Sequence, residues 1–143
     1  MSCPDKLKTL IADNFIAYFK AHIYHLNVVG NNFPQYHALL EEIYDYLWEN
    51  HDTLNEQLRQ LNVMCLTSLS DYANVSNFLL TNKAKTDKDM LKDMESALAD
   101  LHSFAQLLYV EVGDEGYGAL ETYIGDYMMG VSKLHWKVKS CLS

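Results

Sequence analysis

Residues that interrupt helices are rare in this chain and are grouped at a few positions. Only two prolines and six glycines occur among the 143 residues. In the long stretches between them, apolar residues recur at steps of three and four, which is the spacing of one buried helix face. The pattern predicts four long helices, at about residues 5–29, 34–61 and 86–112 and from residue 119 to the C-terminus. On the first of these, the residues predicted to be buried are Leu7, Leu10, Ile11, Phe15, Tyr18, Phe19 and Leu26.

The connections between these helices are short, long and short in turn. Gly30 and the two asparagines after it close the first helix, and the stretch GDEGYG separates the third helix from the fourth. Residues 62–85 are mostly polar and form a long crossover with room for one short helix. This order predicts an all-α chain folded as a ferritin-like four-helix bundle with a single crossover. Asp114 and Glu115 are expected at the start of the fourth helix, where they would complement its N-terminus.

Composition and charge narrow the class of protein. The length suits a single domain over residues 1–143, and a hydrophobic content of 49% is typical of a globular protein. A net charge of −8 disfavours nucleic acid as the main partner. No stretch is long and apolar enough to span a bilayer, and the N-terminus lacks the apolar core of a signal peptide. Cys3, Cys65 and Cys141 are odd in number and widely spaced, as expected of free thiols in the cytoplasm.

Two pairs of candidate metal ligands lie on one stripe of the second predicted helix. His37 and Glu41 form one pair at i, i+4 spacing, and Asp52 and Glu56 form the other. The pairs are separated along the helix by about 22 Å at a rise of ~1.5 Å per residue, so one ion cannot contact both. A second copy of the helix running antiparallel would bring the acidic pair of one subunit to the histidine of the other. The spacing therefore predicts a metal site shared between subunits, with His25 of the preceding helix close to it.

The charges around this stripe favour a bound cation. Arg59 is the only lysine or arginine between residues 21 and 82, and Asp45 adds a further carboxylate close to Glu41. Carboxylates without a positive partner repel one another unless a divalent ion supplies the charge, although such a helix face is often simply solvated. No glutamate is followed by histidine three residues later, so the Glu-x-x-His pairs of a di-iron centre within one bundle are absent from the sequence.

The spacing of these residues resembles the signature of the Dps family of mini-ferritins. The stretch HLNVVGNNFPQYHALLE, residues 25–41, is followed by HDTLNE, residues 51–56. Together they contain a histidine, a second one twelve residues later, an acid four residues on, an aspartate eleven residues further and a glutamate four after that. The resemblance implies a hollow dodecamer built from dimers with two ferroxidase centres each. It implies that His25 and His37, assisted by Glu41, come from one subunit and that Asp52 and Glu56 come from the other. These five are the expected catalytic and iron-binding residues.

The resemblance also implies an activity. Such a protein is an oxidoreductase that oxidises Fe(II) with hydrogen peroxide, or with oxygen, and stores ferric mineral inside the cage, which protects against oxidative damage. Leu26 stands where the family usually has tryptophan, and the N-terminus lacks the lysine-rich tail of DNA-binding members. Two other functions stay open: a DNA-compacting cage, which the acidic charge disfavours, and a cage whose site holds zinc structurally without oxidation.

Overall fold

Five α-helices and their connections make up the computed structural model, which describes residues 1–143. The helices are α1 (Cys3–Asn27), α2 (Phe33–Gln60), α3 (Leu69–Val75), α4 (Asp87–Asp114) and α5 (Gly118–Leu142). α1 packs along α2 and α4 along α5, while α1 also contacts α4 and α2 contacts α5. The long crossover between α2 and α4 carries α3, so the predicted four-helix bundle is confirmed. None of the helices has the length and apolar character needed to cross a membrane.

Side chains and one glycine set the ends of the helices. Ser2 caps α1 by accepting a hydrogen bond from the Asp5 amide at 3.2 Å, and Thr86 caps α4 by accepting from the Asp89 amide at 3.1 Å. Gly30 has a φ of 129°, a conformation that glycine adopts without the steric cost other residues would incur. This turn allows α2 to run back along α1.

The break between α4 and α5 is shorter than the sequence suggested and lies within the predicted stretch GDEGYG. α4 continues through Asp114, and Glu115 is its C-terminal cap, so the predicted place of both acids at the start of the last helix is wrong. The chain leaves the helix at Gly116, whose φ of 83° is favourable for glycine. A glycine inside a helix, such as Gly113, costs stability but does not have to end the helix.

Apolar side chains from the four long helices form one core. Its fully buried members include, in chain order, Leu7, Leu40, Leu91 and Ile124. The burial predicted for α1 is correct for Leu7, Leu10 and Ile11, while Phe15 and Tyr18 are half-buried. Phe19 and Leu26, in contrast, are 51% and 62% exposed. They are seven residues apart and so share an outer stripe, which the single subunit leaves uncovered.

The middle of the bundle contains neutral polar groups that bond to one another. The Tyr127 hydroxyl donates to Asn14 Oδ1 at 2.8 Å, and Asn14 Nδ2 donates to the Leu47 carbonyl at 2.8 Å. The Tyr123 hydroxyl donates to Asn50 Oδ1 at 2.6 Å. Burial raises the pKa of Tyr127 well above its ordinary value, so its hydroxyl stays neutral. These side chains are hydroxyls and amides, whereas a di-iron centre within the bundle would need several carboxylates.

Asp13 of α1 ties the end of α3 to the bundle. Its carboxylate accepts hydrogen bonds from Ser76 Oγ at 2.6 Å, from the Asn77 amide at 2.7 Å and from Asn77 Nδ2 at 3.1 Å. Asp13 is buried, and this burial raises the pKa of its carboxyl group above the ordinary value in spite of the three donors. The bonds fix where the crossover passes over α1.

Candidate metal centre

His25 and His37 face each other where α1 ends and α2 begins. His25 Nδ1 lies 2.8 Å from the His37 carbonyl oxygen, and His37 Nδ1 lies 2.7 Å from the His25 carbonyl oxygen. A carbonyl oxygen can only accept, so both Nδ1 atoms carry a proton and donate it. In a neutral ring, Nε2 then keeps an unshared lone pair. This is the tautomer in which imidazole binds a metal through Nε2.

The ends of the two helices account for this pairing. The His25 carbonyl is one of the last four in α1, which have no partner within the helix, and His37 Nδ1 supplies one. The short turn after α1 brings the two rings together, and they stack with their centroids 3.7 Å apart. His25 is buried and His37 is half-buried, so the orientation of both rings is fixed by packing as well as by hydrogen bonds.

Glu41 stands one turn beyond His37 on the same side of α2. Its Oε1 lies 3.9 Å from His25 Nε2, and the ligand atoms of the three residues all lie within 4.8 Å of one another. Two imidazole nitrogens and a carboxylate oxygen suit Fe(II) and also Zn(II). Glu41 is exposed, so the group is open on the glutamate side. Three side chains are fewer than the four ligands of even a tetrahedral site, and they therefore make an incomplete coordination sphere.

Asp52 and Glu56 do not join this group within one chain. They lie further along α2, both side chains are exposed, and neither forms an ion pair with a basic side chain. The structure thus brings together the first three predicted ligands and leaves the acidic pair elsewhere on the same helix face. The part that Asp52 and Glu56 take in a shared centre stays a prediction.

Aromatic rings beside the histidines were not apparent from the ligand spacing. Tyr44 lies 5.0 Å from His25 between ring centroids, and His22 stacks on Tyr44 at 4.1 Å. Both are half-buried between α1 and α2. The only sequence signal for them is the helical spacing of aromatic residues along the two helices, which indicates packing rather than chemistry.

A second group of candidate ligands lies where the start of α1 meets the end of α4. The ligand atoms of Cys3, Glu111 and Glu115 are within 4.8 Å of one another. Glu111 already forms an ion pair with Lys6. Burial, together with the two carboxylates, raises the pKa of the Cys3 thiol to about 12. The group joins the start of α1 to the end of α4, and Lys6 already supplies a positive partner for one of its carboxylates.

Sequence comparisons identify the family. Residues 4–127 match the family model of the ferritin-like domain. The chain is 32% identical over 143 residues to antigen TpF1 of Treponema pallidum, across 96% of this chain and 78% of that protein. It is 29% identical over 140 residues to the DNA protection during starvation protein of Helicobacter pylori, across 96% of each chain.

Solved structures share the fold. The crystal structure of TpF1 has a TM-score of 0.93 at 26% identity and covers 99% of this chain and 91% of its own. The Vibrio cholerae DPS protein, described as a member of a broad superfamily of ferritin-like diiron-carboxylate proteins, has a TM-score of 0.94 at 23% identity, covering 99% and 89%. The chain is therefore a ferritin-like protein. Within that class it belongs to the Dps family, the iron-storing mini-ferritins.

Proposed function

We propose that this protein is a ferroxidase that oxidises Fe(II) with hydrogen peroxide, or with oxygen, and stores the ferric product as mineral. Each centre would combine His25, His37 and Glu41 of one subunit with Asp52 and Glu56 of another. Twelve subunits, arranged as dimers, would enclose the mineral in a hollow cage. Each subunit would contribute one domain, residues 1–143. By consuming iron and peroxide together, the cage would protect against oxidative damage.

The observation that carries this proposal is a pair of imidazole rings beside a carboxylate, with one ligand atom from each of the three residues within 4.8 Å of the others. Because His25 and His37 donate from Nδ1 to backbone carbonyls, the neutral form of each ring is held in the tautomer that leaves Nε2 free for a cation. Fe(II) is the substrate, and imidazole nitrogen with carboxylate oxygen suits it. Further carboxylate oxygens from a second subunit would bind the harder ferric ion more strongly and so favour oxidation. Two Fe(II) ions supply the two electrons that reduce one peroxide to water.

The surface around the histidines supports pairing with a second copy. Phe19, Leu26 and Trp48 are large apolar side chains exposed on α1 and α2. An uncovered apolar face of this kind is typical of an interface. By helical angle, Asp52 and Glu56 lie on the same side of α2 as Trp48. An antiparallel copy that covers the apolar side chains would therefore bring its acids toward the histidines.

Two alternatives are weighed against this proposal. A structural zinc site would use the same ligands without oxidising anything. The name of the Helicobacter pylori relative refers to DNA protection, but a charge of −8 per subunit here would repel phosphate.

We also propose that the cage works in the cytoplasm, where Cys3, Cys65 and Cys141, all free in the structure, would stay reduced.

Stopped-flow absorbance tests the proposal. The purified protein is loaded with Fe(II) without oxygen and then mixed with peroxide or oxygen. Rapid ferric formation is expected, faster with peroxide and blocked by excess Zn(II). Asp52→Ala with Glu56→Ala should abolish the fast phase and leave the cage intact. The control is Asp100→Ala with Asp126→Ala, which removes two exposed acids on α4 and α5 and should leave the fast phase unchanged. A full rate in the first variant would refute the assignment of the acids, and no oxidation above the protein-free rate would favour the alternatives.

A further inference from the structure

Aromatic rings form a continuous path across the face shared by α1 and α2. Ring centroids are 4.1 Å apart for His22 and Tyr44 and 6.3 Å apart for Tyr44 and Tyr18. From Tyr18 the path reaches Trp48 at 5.0 Å and then His51 at 5.9 Å. We refer to this set as the aromatic ladder: Tyr44, His22, Tyr18, Trp48 and His51.

The ladder lies along α2 between the two pairs of candidate ligands. At one end, Tyr44 lies 5.0 Å from His25 between ring centroids. Toward the other end, Trp48 lies one helical turn before Asp52 on the same side of α2, and both side chains are exposed. The two ligand pairs are separated by about 22 Å along α2 at ~1.5 Å per residue, too far for efficient electron transfer in one step. The ladder extends about 10 Å along α2, from Tyr44 to His51, and none of its steps exceeds 6.3 Å between centroids, so short transfers between rings can cover roughly half of that separation.

Tyr18 has a hydrogen-bond partner that suits reversible oxidation. Its hydroxyl oxygen lies 3.0 Å from His22 Nδ1. When His22 carries its proton on Nε2, the Tyr18 hydroxyl donates to Nδ1. A tyrosine that loses an electron must also lose its phenolic proton. His22 Nδ1 can take that proton and return it when the electron is replaced, so Tyr18 can act as a relay without losing the proton to solvent.

We propose that the aromatic ladder carries electrons between the two centres of a dimer, so that Fe(II) at one centre reduces peroxide bound at the other. This inference rests on the proposed ferroxidase function and on the sharing of each centre between antiparallel subunits. In that arrangement the two ends of one ladder belong to different centres. Each peroxide could then draw on iron at both centres even when each centre holds a single Fe(II).

The electrons balance over two iron ions. Fe(II) at the reacting centre gives one electron to hydrogen peroxide, which breaks the O–O bond and leaves hydroxide and an oxidant equivalent to hydroxyl radical. Tyr44 gives the second electron together with its phenolic proton, which converts the oxidant to water and leaves a tyrosyl radical. Tyr18 then reduces Tyr44, and the Tyr18 proton moves to His22. Trp48 in turn reduces Tyr18, and Fe(II) at the second centre reduces Trp48. The sum is two Fe(II), one peroxide and two protons giving two Fe(III) and two waters.

Pulse radiolysis of the metal-free cage tests the ladder without iron. Azide radicals oxidise tryptophan, and Trp136→Leu leaves Trp48 as the only one in the chain. We expect the absorbance of the Trp48 radical to decay while that of a tyrosyl radical grows at the same rate. Adding Tyr18→Phe, which keeps the ring, should abolish this growth. Adding Tyr117→Phe, outside the ladder, should leave it unchanged. Equal growth in the Tyr18→Phe protein would overturn the proposal.

Peroxide consumption then tests electron sharing at one Fe(II) per centre. The unsubstituted cage should use one peroxide for every two Fe(II) and release no spin-trapped hydroxyl radical. Trp48→Leu and Tyr18→Phe should each raise consumption toward one peroxide per Fe(II) and release trapped radical, whereas Trp136→Leu should not. Unchanged stoichiometry in the first two variants would overturn the inference and leave the ferroxidase proposal standing. If the unsubstituted cage oxidises no iron, the ferroxidase proposal and the electron-sharing inference are both refuted. Radical transfer that is still seen in the metal-free protein would then show that the centre, and not the ladder, is at fault.

Discussion

A subunit-mixing experiment tests whether the centre is shared, and its expected yield follows from the positions of the ligands on one chain. His25→Ala removes the histidine half of a centre, and Asp52→Ala with Glu56→Ala removes the acidic half. A dimer of either variant alone therefore has no complete centre. A mixed dimer has one complete centre, with the histidines of one subunit and the acids of the other, and one centre that lacks both halves.

The magnitude is set by symmetry. Random pairing of equal amounts makes half of the dimers mixed, and one of the two centres in each mixed dimer is complete, so about one quarter of the unsubstituted fast phase should return. The subunits are coexpressed with two different affinity tags, purified on both, and assayed by stopped-flow ferric formation. His25→Ala mixed with His37→Ala is the control, because both changes affect the same half and no centre is restored. Doubly tagged cages without any restored fast phase would refute the shared centre.

Bundle packing and a buried acid give two further predictions. Gly130→Ala should lower the free energy of unfolding by about 1–3 kcal/mol, because its Cβ would overlap the Tyr46 ring. The control is Gly118→Ala, whose Cβ would meet open space, and it should be neutral or stabilising. Chemical denaturation compares the two variants, and equal effects on the unfolding free energy would contradict the packing argument. The raised pKa of Asp13 means that the folded protein holds this proton more tightly than the unfolded chain does. Unfolding free energy should therefore fall as pH rises from 3.8 toward the raised pKa and level off above it. Asp13→Asn should flatten this part of the profile in urea denaturation, and an unchanged slope would contradict the effect of burial.

The helices and the first half of the site could be predicted because their signals are local. Apolar spacing and the scarcity of glycine and proline mark the helices, and these depend on a few neighbouring residues. His37 and Glu41 share a helix face at i, i+4 spacing, and only a short turn separates them from His25. The grouping of these three residues therefore required little knowledge of the tertiary structure.

The rest depends on how the helices pack. Periodicity places Phe19 and Leu26 on an apolar stripe but does not say what covers it, and in one subunit both are exposed. The reciprocal bonds from Nδ1 of His25 and His37 require the exact approach of α1 to α2, which no spacing rule supplies. The Tyr18 contact with His22 is local in sequence, yet its position beside the centre becomes visible only when α2 is packed against α1.

Anomalous X-ray diffraction at the iron edge, from crystals loaded with Fe(II) without oxygen, tests the shared centre most directly. We expect an iron peak within bonding distance of His25 Nε2, with carboxylate oxygens of Asp52 and Glu56 from a second subunit completing the site. Iron bound by His25, His37 and Glu41 with no carboxylate from another subunit would contradict the account. An iron peak inside the bundle of a single subunit would contradict it equally.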